Sequence, residues 1–167
     1  MKRNFFLMIA GSALIGAGCT GGTSMPPAAD VVPGATAPSP APSSTTRLDL
    51  SGTGLAKVPG YVFERTDLEE LDLSDNQLTG AIPAEIRHLQ GLRILDASHN
   101  LMTGVPAEIG QLSALLDLDL SENRLTGLPL ELGNLTGLRR LDLRGNDVSQ
   151  QDLAAIRAKL KNTEILE

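Results

Sequence analysis

The amino-acid sequence predicts an α/β repeat solenoid over residues 45–167, of about five repeats with a C-terminal capping helix. Three observations carry this. One short segment recurs at a nearly constant spacing of 23 or 24 residues. Within each copy Leu alternates with polar residues, the period of a half-buried strand. After four of the five copies comes an apolar–Pro pair, followed in three of them by two aliphatic residues at i, i+3, the pattern of a short helical turn with one buried side.

The copies are LEELDLSDNQL (68–78), LRILDASHNLM (92–102), LLDLDLSENRL (115–125) and LRRLDLRGNDV (138–148), preceded by a degenerate copy, TTRLDLSGTGL (45–55). Pairs such as Leu71/Leu73 and Leu118/Leu120 lie on one side of their strand. A single strand of this kind cannot bury its apolar edge alone, so successive copies must stack. Asn76, Asn100, Asn123 and Asn146 end the four close copies. A buried carboxamide there both donates and accepts, satisfying the backbone as the chain turns away. Thr53 stands in this place in the first copy and is a weaker substitute.

The connecting segments hold Val58-Pro59, Ile82-Pro83, Val105-Pro106 and Leu128-Pro129. Pro suits the first position of a helical turn, and Glu85, Glu108 and Glu131 then fall where a helix N-terminus favours an anion. Ile86/Leu89, Ile109/Leu112 and Leu132/Leu135 should reach the core from this second side. Ala97 occupies a position that is Leu in the other copies, which predicts a small packing defect; Ala97→Leu is expected to be neutral or stabilising in a melt. At the C-terminus, Ser149 to Lys161 reads as an amphipathic capping helix with Leu153, Ile156 and Leu160 on one face, followed by Ile165 and Leu166 as a last irregular strand. At the other end no cap is visible beyond the degenerate first copy, which serves as its own cap or else is covered by a partner; the first is the expectation.

Composition narrows the function classes. The chain has 167 residues, one Cys, no Trp, one Tyr and three Phe. A lone Cys excludes an intrachain disulfide and a Cys-based zinc cluster. So few aromatics give no stacking platform for bases or sugars, and a net charge of −6 opposes phosphate-backbone binding. No nucleic acid, no cofactor and no small-molecule substrate is therefore expected.

The N-terminus reads as an address. Lys2 and Arg3 precede an uncharged, mostly apolar run whose core, Phe5 to Ala17, is 13 residues. A bilayer span needs about 20, so the run reads as an export signal. The stretch Leu14-Ile15-Gly16-Ala17-Gly18-Cys19 resembles the lipobox of bacterial lipoproteins. That resemblance implies cleavage after residue 18, acyl chains on Cys19 and, with Thr20 rather than Asp next, the outer membrane. An ordinary secretory signal with an incidental Cys is the other reading. Loss of residues 1–18 leaves 12 basic against 20 acidic residues, a charge of −8, so attachment to anionic headgroups would depend on lipid. Residues 19–44 then form a linker. Its Pro, Ala, Ser and Thr cannot bury enough surface to offset ordering, and it should act as a spacer.

The repeated segment itself matches L-x-x-L-x-L-x-x-N-x-L and is similar to the leucine-rich repeat. That resemblance implies a curved solenoid with a parallel β-sheet on its concave face, short helical or irregular turns on the convex side, and a protein-binding role. On the concave face, position 5 reads Asp49, Asp72, Asp96, Asp119 and Asp142. Carboxylates on neighbouring strands, about 4.8 Å apart, set a negative field that recruits a basic or mixed-charge protein surface. The alternative is local: each Asp accepts hydrogen bonds within its own turn. Glu70 and Asp117 reinforce the acidic middle, Arg140 and Arg144 make the last strand basic, and Ile94 with Leu116 offers a small apolar anchor. His99 lies on the concave rim and His88 on the convex side.

Neither His has the other within reach for a metal, and Ser98 beside His99 should diverge from it along the strand. No catalytic residue and no metal site is assigned, and the chain is expected not to be an enzyme. The expectation is a membrane-anchored module that binds a protein partner through the concave face. A structural spacer without a dedicated ligand, and cation binding by the Asp ladder, are the alternatives.

Overall fold

Each Leu-x-Leu core is too short and too one-sided to exist alone, and the fold meets this by stacking. The computed structural model describes residues 46–167; the export segment, Cys19 and the linker 19–44 lie outside them. The strands are β1 (Arg47–Asp49), β2 (Glu70–Asp72), β3 (Thr79–Gly80), β4 (Ile94–Asp96), β5 (Leu101–Met102), β6 (Asp117–Asp119), β7 (Arg140–Asp142) and β8 (Glu164–Leu166), with one helix, α1 (Gln150–Lys159). Six strands make one parallel sheet in the order β1-β2-β4-β6-β7-β8. The register is strictly one repeat per step: Leu48, Leu71, Leu95, Leu118, Leu141 and Ile165 are successive partners. The ladder continues past the strands, with Leu73 donating to Asp96, Ala97 to Asp119 and Leu120 to Asp142 through the backbone.

The opposite side of the coil consists of four 3-10 turns, Gly60–Glu64, Ala84–His88, Ala107–Gln111 and Leu130–Asn134. Each proline sits one residue before its turn, at the N-cap, rather than at the first helical position. There its fixed φ, between −56° and −72°, and an extended ψ orient its carbonyl. That carbonyl accepts from the N–H of Val62, Ile86, Ile109 or Leu132 and so closes the turn. Glu85, Glu108 and Glu131 occupy the first turns as expected. Between the two sides lies a continuous core in which Leu71, Leu95, Leu118 and Leu141 from the sheet, with Ile86, Ile109 and Leu132 from the turns, are at most 1% exposed. A second two-stranded parallel sheet, β3 with β5, flanks the core; nothing in the sequence pattern indicated it.

The asparagines bind the repeats together. Asn100 Nδ2 donates to the carbonyls of Leu73, Ala97 and Ser98, and its Oδ1 accepts from Leu78 N–H. Asn76, Asn123 and Asn146 repeat this pattern. Each Asn thus reaches back one repeat. Thr53 heads the first of them, with no copy before it to bridge, and its hydroxyl donates only to Leu50 O and Asn76 Oδ1.

The C-terminal cap is shorter and better ordered than the sequence suggested. α1 ends at Lys159, with Ser149 as N-cap accepting from Asp152 N–H, and it buries Leu153, Ile156 and Leu160. The last strand is regular: β8 pairs in parallel with β7 and extends the main sheet. Among the described residues no helix is long and apolar enough to cross a membrane.

Candidate functional site

The strict register turns each pattern position into a row across the concave sheet. Position 3 reads Arg47, Glu70, Ile94, Asp117, Arg140, Glu164, and position 5 reads Asp49, Asp72, Asp96, Asp119, Asp142, Leu166. The candidates at positions 3 and 5 therefore lie in two adjacent rows on one side of the sheet, because period-2 alternation sends both rows away from the Leu core.

The Asp row is built as a series of local turns. Asp49, Asp72, Asp96 and Asp119 each accept through Oδ1 from both the N–H and the hydroxyl of the Ser two residues on, at 2.6 to 3.0 Å. The Ser51 hydroxyl and then its N–H hold the Asp49 carboxyl below the ordinary carboxylate range. These bonds use one oxygen of each carboxylate. The ladder is thus first a device for ending strands, and any charge it shows a partner is carried by the second oxygen.

Asp142 departs from the expectation of an accessible contact residue: it is 0% exposed. Arg144 replaces the Ser of the other copies and folds back onto it, donating from Nε at 3.0 Å and from Nη2 at 2.6 Å, while Arg140 Nη2 donates at 2.6 Å. The Arg144 bond foremost holds the Asp142 carboxyl below its ordinary value, and Asp142 in turn raises the Arg144 guanidinium. Arg140 also reaches Asp119 Oδ2 at 3.5 Å. The two arginines are spent on these carboxylates, so the basic end of the face is weaker than a count of charges implies.

The middle of the face is different. Ile94 is 39% exposed although it lies on a central strand. It lines an open hollow of about 260 Å³ with Glu69, Glu70, Arg93, Leu116 and Asp117. A neighbouring hollow of about 310 Å³ is formed by Arg47, Glu70, Leu71, Asp72, Ile94 and Asp96. Arg47 stands 3.4 Å from Glu70 and Arg93 stands 3.8 Å from Glu69. The apolar pair Ile94/Leu116 is thus rimmed by carboxylates, some of them shared with arginine.

Position 8 carries a feature the sequence reading missed. Gly52, Asp75, His99, Glu122 and Gly145 all have positive φ, from 51° to 71°. Each of the five repeat strands β1, β2, β4, β6 and β7 therefore exits through a left-handed residue, and His99 projects from such a bend at the exposed rim. The signal was present, since two of the five copies have Gly there. His88, by contrast, ends the 3-10 turn Ala84–His88 on the convex side. Ser98 does not address His99: its hydroxyl donates to Asp96 at 2.6 Å. Among the described residues no group of three or more His, Cys, Asp or Glu is arranged to hold a metal ion.

Comparison with known proteins agrees with this geometry. A family profile described as Leucine rich repeat matches residues 43–102, and a second of that description matches residues 114–135. Receptor-like protein 47 of Arabidopsis thaliana is 42% identical over 63 residues, which are 38% of this chain and 8% of that protein. A leucine-rich-repeat protein of Leptospira interrogans superposes with a TM-score of 0.62 at 41% identity, covering 65% of this chain and 28% of the other. The solved BIR3–SERK2 complex from Arabidopsis thaliana gives a TM-score of 0.58 at 38% identity, covering 64% of this chain and 61% of the matched chain. The chain spans under a tenth of the plant receptor-like proteins it matches. With the fixed period, the asparagine bridges and the six-stranded parallel sheet, these likenesses establish that the chain carries leucine-rich repeats and that residues 46–167 fold as a leucine-rich-repeat solenoid.

Proposed function

We propose that this chain is an exported, membrane-anchored recognition module whose concave face binds a protein partner. The observation that carries the reading is the exposed Ile94, seated beside Leu116 in a hollow rimmed by Glu69, Glu70 and Asp117. An apolar centre with a charged rim is the anatomy of a protein-binding patch. The carboxylate rim matches an aliphatic or aromatic side chain flanked by Lys or Arg on the partner, and gives association that weakens with salt. The solved BIR3–SERK2 complex, one of the similar structures, is a complex between two proteins, which supports the same use here. Anchoring rests on the sequence: the lipobox-like stretch ending at Cys19 supports acyl chains there, with residues 19–44 as leash and the bacterial outer membrane as the proposed location.

The test uses the full chain as bait in solubilised envelope, against Ile94→Glu and Asp117→Lys. Neither residue holds a turn together, so both variants keep the fold. A partner retained by the unmodified chain and lost with both variants supports the reading. A partner retained equally by all three moves the site off this face. Capture of nothing by a folded bait favours the spacer reading. In cells, Cys19→Ser should release the protein from the membrane fraction; retention there would overturn the anchor.

A further inference from the structure

The two ends of the solenoid are finished differently. At the C-terminal end, α1 and β8 cover the last repeat, and Leu141 and Leu143 are at most 1% exposed. At the N-terminal end, β1 is paired on one side only among the described residues. Leu48, Leu50 and Leu55 are only partly buried, whereas their equivalents one repeat on, Leu71, Leu73 and Leu78, are 1%, 0% and 3% exposed. A solenoid end that leaves its core open needs a cover.

This edge, unpaired among the described residues, has a definite hydrogen-bonding polarity. Thr46 O accepts from Glu70 N–H and Leu50 N–H donates to Asp72 O, so residues 46, 48 and 50 face β2. By alternation, the backbone groups of Arg47 and Asp49 face outward. Both side chains stand on the concave face and are more than half exposed, at 60% and 53%. We propose that this edge is a homodimer interface, with β1 pairing antiparallel to β1 of a second copy about a twofold axis at Leu48. In that register Arg47 lies opposite Asp49 of the other copy, and Asp49 opposite its Arg47. Those are the residues whose outward N–H and C=O must be exchanged in a hydrogen-bonded antiparallel pair. The opposed side chains carry opposite charge, which favours the pair. Leu48 meets Leu48 on the core side, bringing the two open cores together. The triplet Arg-Leu-Asp is therefore self-complementary, as an isologous interface requires. A parallel or slipped pairing loses the charge match and turns Leu48 to the wrong face. The result is one continuous concave sheet across two copies, and this inference does not depend on what that face binds.

The test is a charge exchange in the full chain, purified in mild detergent and sized by analytical centrifugation. The unmodified chain should be a dimer. Arg47→Asp and Asp49→Arg should each weaken dimerisation by about tenfold or more, equivalent to about 1.4 kcal/mol. Mixed in equal amounts, the two variants should form a heterodimer, because each supplies the charge the other lacks. A monomeric unmodified chain overturns the proposal, as does a dimer that both variants leave intact. Asp49→Arg also removes the turn to Ser51, so a second measurement avoids dependence on its folding. In a Cys19→Ser background, Leu48→Cys should oxidise to a disulfide-linked dimer, since directly opposed Cα atoms lie about 4.5 Å apart. Ser51→Cys should not, and equal cross-linking at both positions would overturn the register.

Discussion

Asn100 reaches across the repeat boundary to Leu73, donating from Nδ2 to its carbonyl oxygen at 3.0 Å. The same carboxamide accepts from Leu78 N–H at 3.0 Å and is 5% exposed. A single side chain therefore satisfies backbone groups of two consecutive repeats at the point where each leaves its strand. Replacing it by Ala leaves a buried N–H and several carbonyls unpaired. Asn100→Ala should cost about 3 kcal/mol or more in urea unfolding. Thr53→Ala, in a copy with nothing before it to bridge, should cost less than about 1 kcal/mol. Equal losses would show that the bridging bonds are not what the asparagines contribute.

Acid should weaken the C-terminal end. The Asp142 carboxyl is held below its ordinary value of 3.8, mainly by the Arg144 hydrogen bond. A depressed carboxylate contributes stability in full above its unfolded pKa, and that contribution disappears as pH falls through the folded value. Unfolding free energy should therefore decline below about pH 4. Asp142→Asn should flatten that decline and cost about 2 kcal/mol at neutral pH, the range for hydrogen bonds to charged groups. A decline of unchanged steepness in the variant would assign acid sensitivity to other carboxylates.

The left-handed row at position 8 predicts gains rather than losses. Asp75, His99 and Glu122 hold φ values of 51° to 54°, a region that strains residues bearing a Cβ. His99→Gly and Glu122→Gly should each raise stability by up to about 1 kcal/mol, after the larger chain entropy of Gly in the unfolded state is offset. Thermal melts measure this directly. A lower melting temperature in both would mean that the side chains make contacts outweighing the strain.

Stacking of the 3-10 turns sets a further limit. A Cβ on Gly110 would press on the Glu131 backbone carbonyl of the next turn, whereas the atoms nearest to one on Gly133 belong to the Lys159 side chain. Gly110→Ala should cost about 1–3 kcal/mol as an overpacked contact, and Gly133→Ala much less. Denaturant midpoints for the two variants decide it; equal midpoints would mean that the turns can separate without loss.

Much of this protein could be read directly from its letters, because a repeat converts one local rule into a global arrangement. The period placed Leu71, Leu95, Leu118 and Leu141 in a common core row, and the recurrent Asn announced a buried carboxamide where each of the four close copies turns away; that it bridges to the preceding repeat came from the structure. The Asp at position 5 was equally visible, but its role was not. Whether a carboxylate faces a partner or ends its own strand depends on where a Ser two residues on can reach, and the two outcomes share one sequence. The tertiary structure alone decided that Asp142 is buried, because this required Arg140 and Arg144 to fold onto it together. It alone also rimmed the Ile94/Leu116 pair with Glu69, Glu70, Arg93 and Asp117 in one hollow and left the outer edge of β1 unpaired among the described residues. Periodicity fixes which side of a strand each residue takes. Distances between side chains of different repeats arise only when the repeats stack, and it is those distances that set burial, pairing and charge.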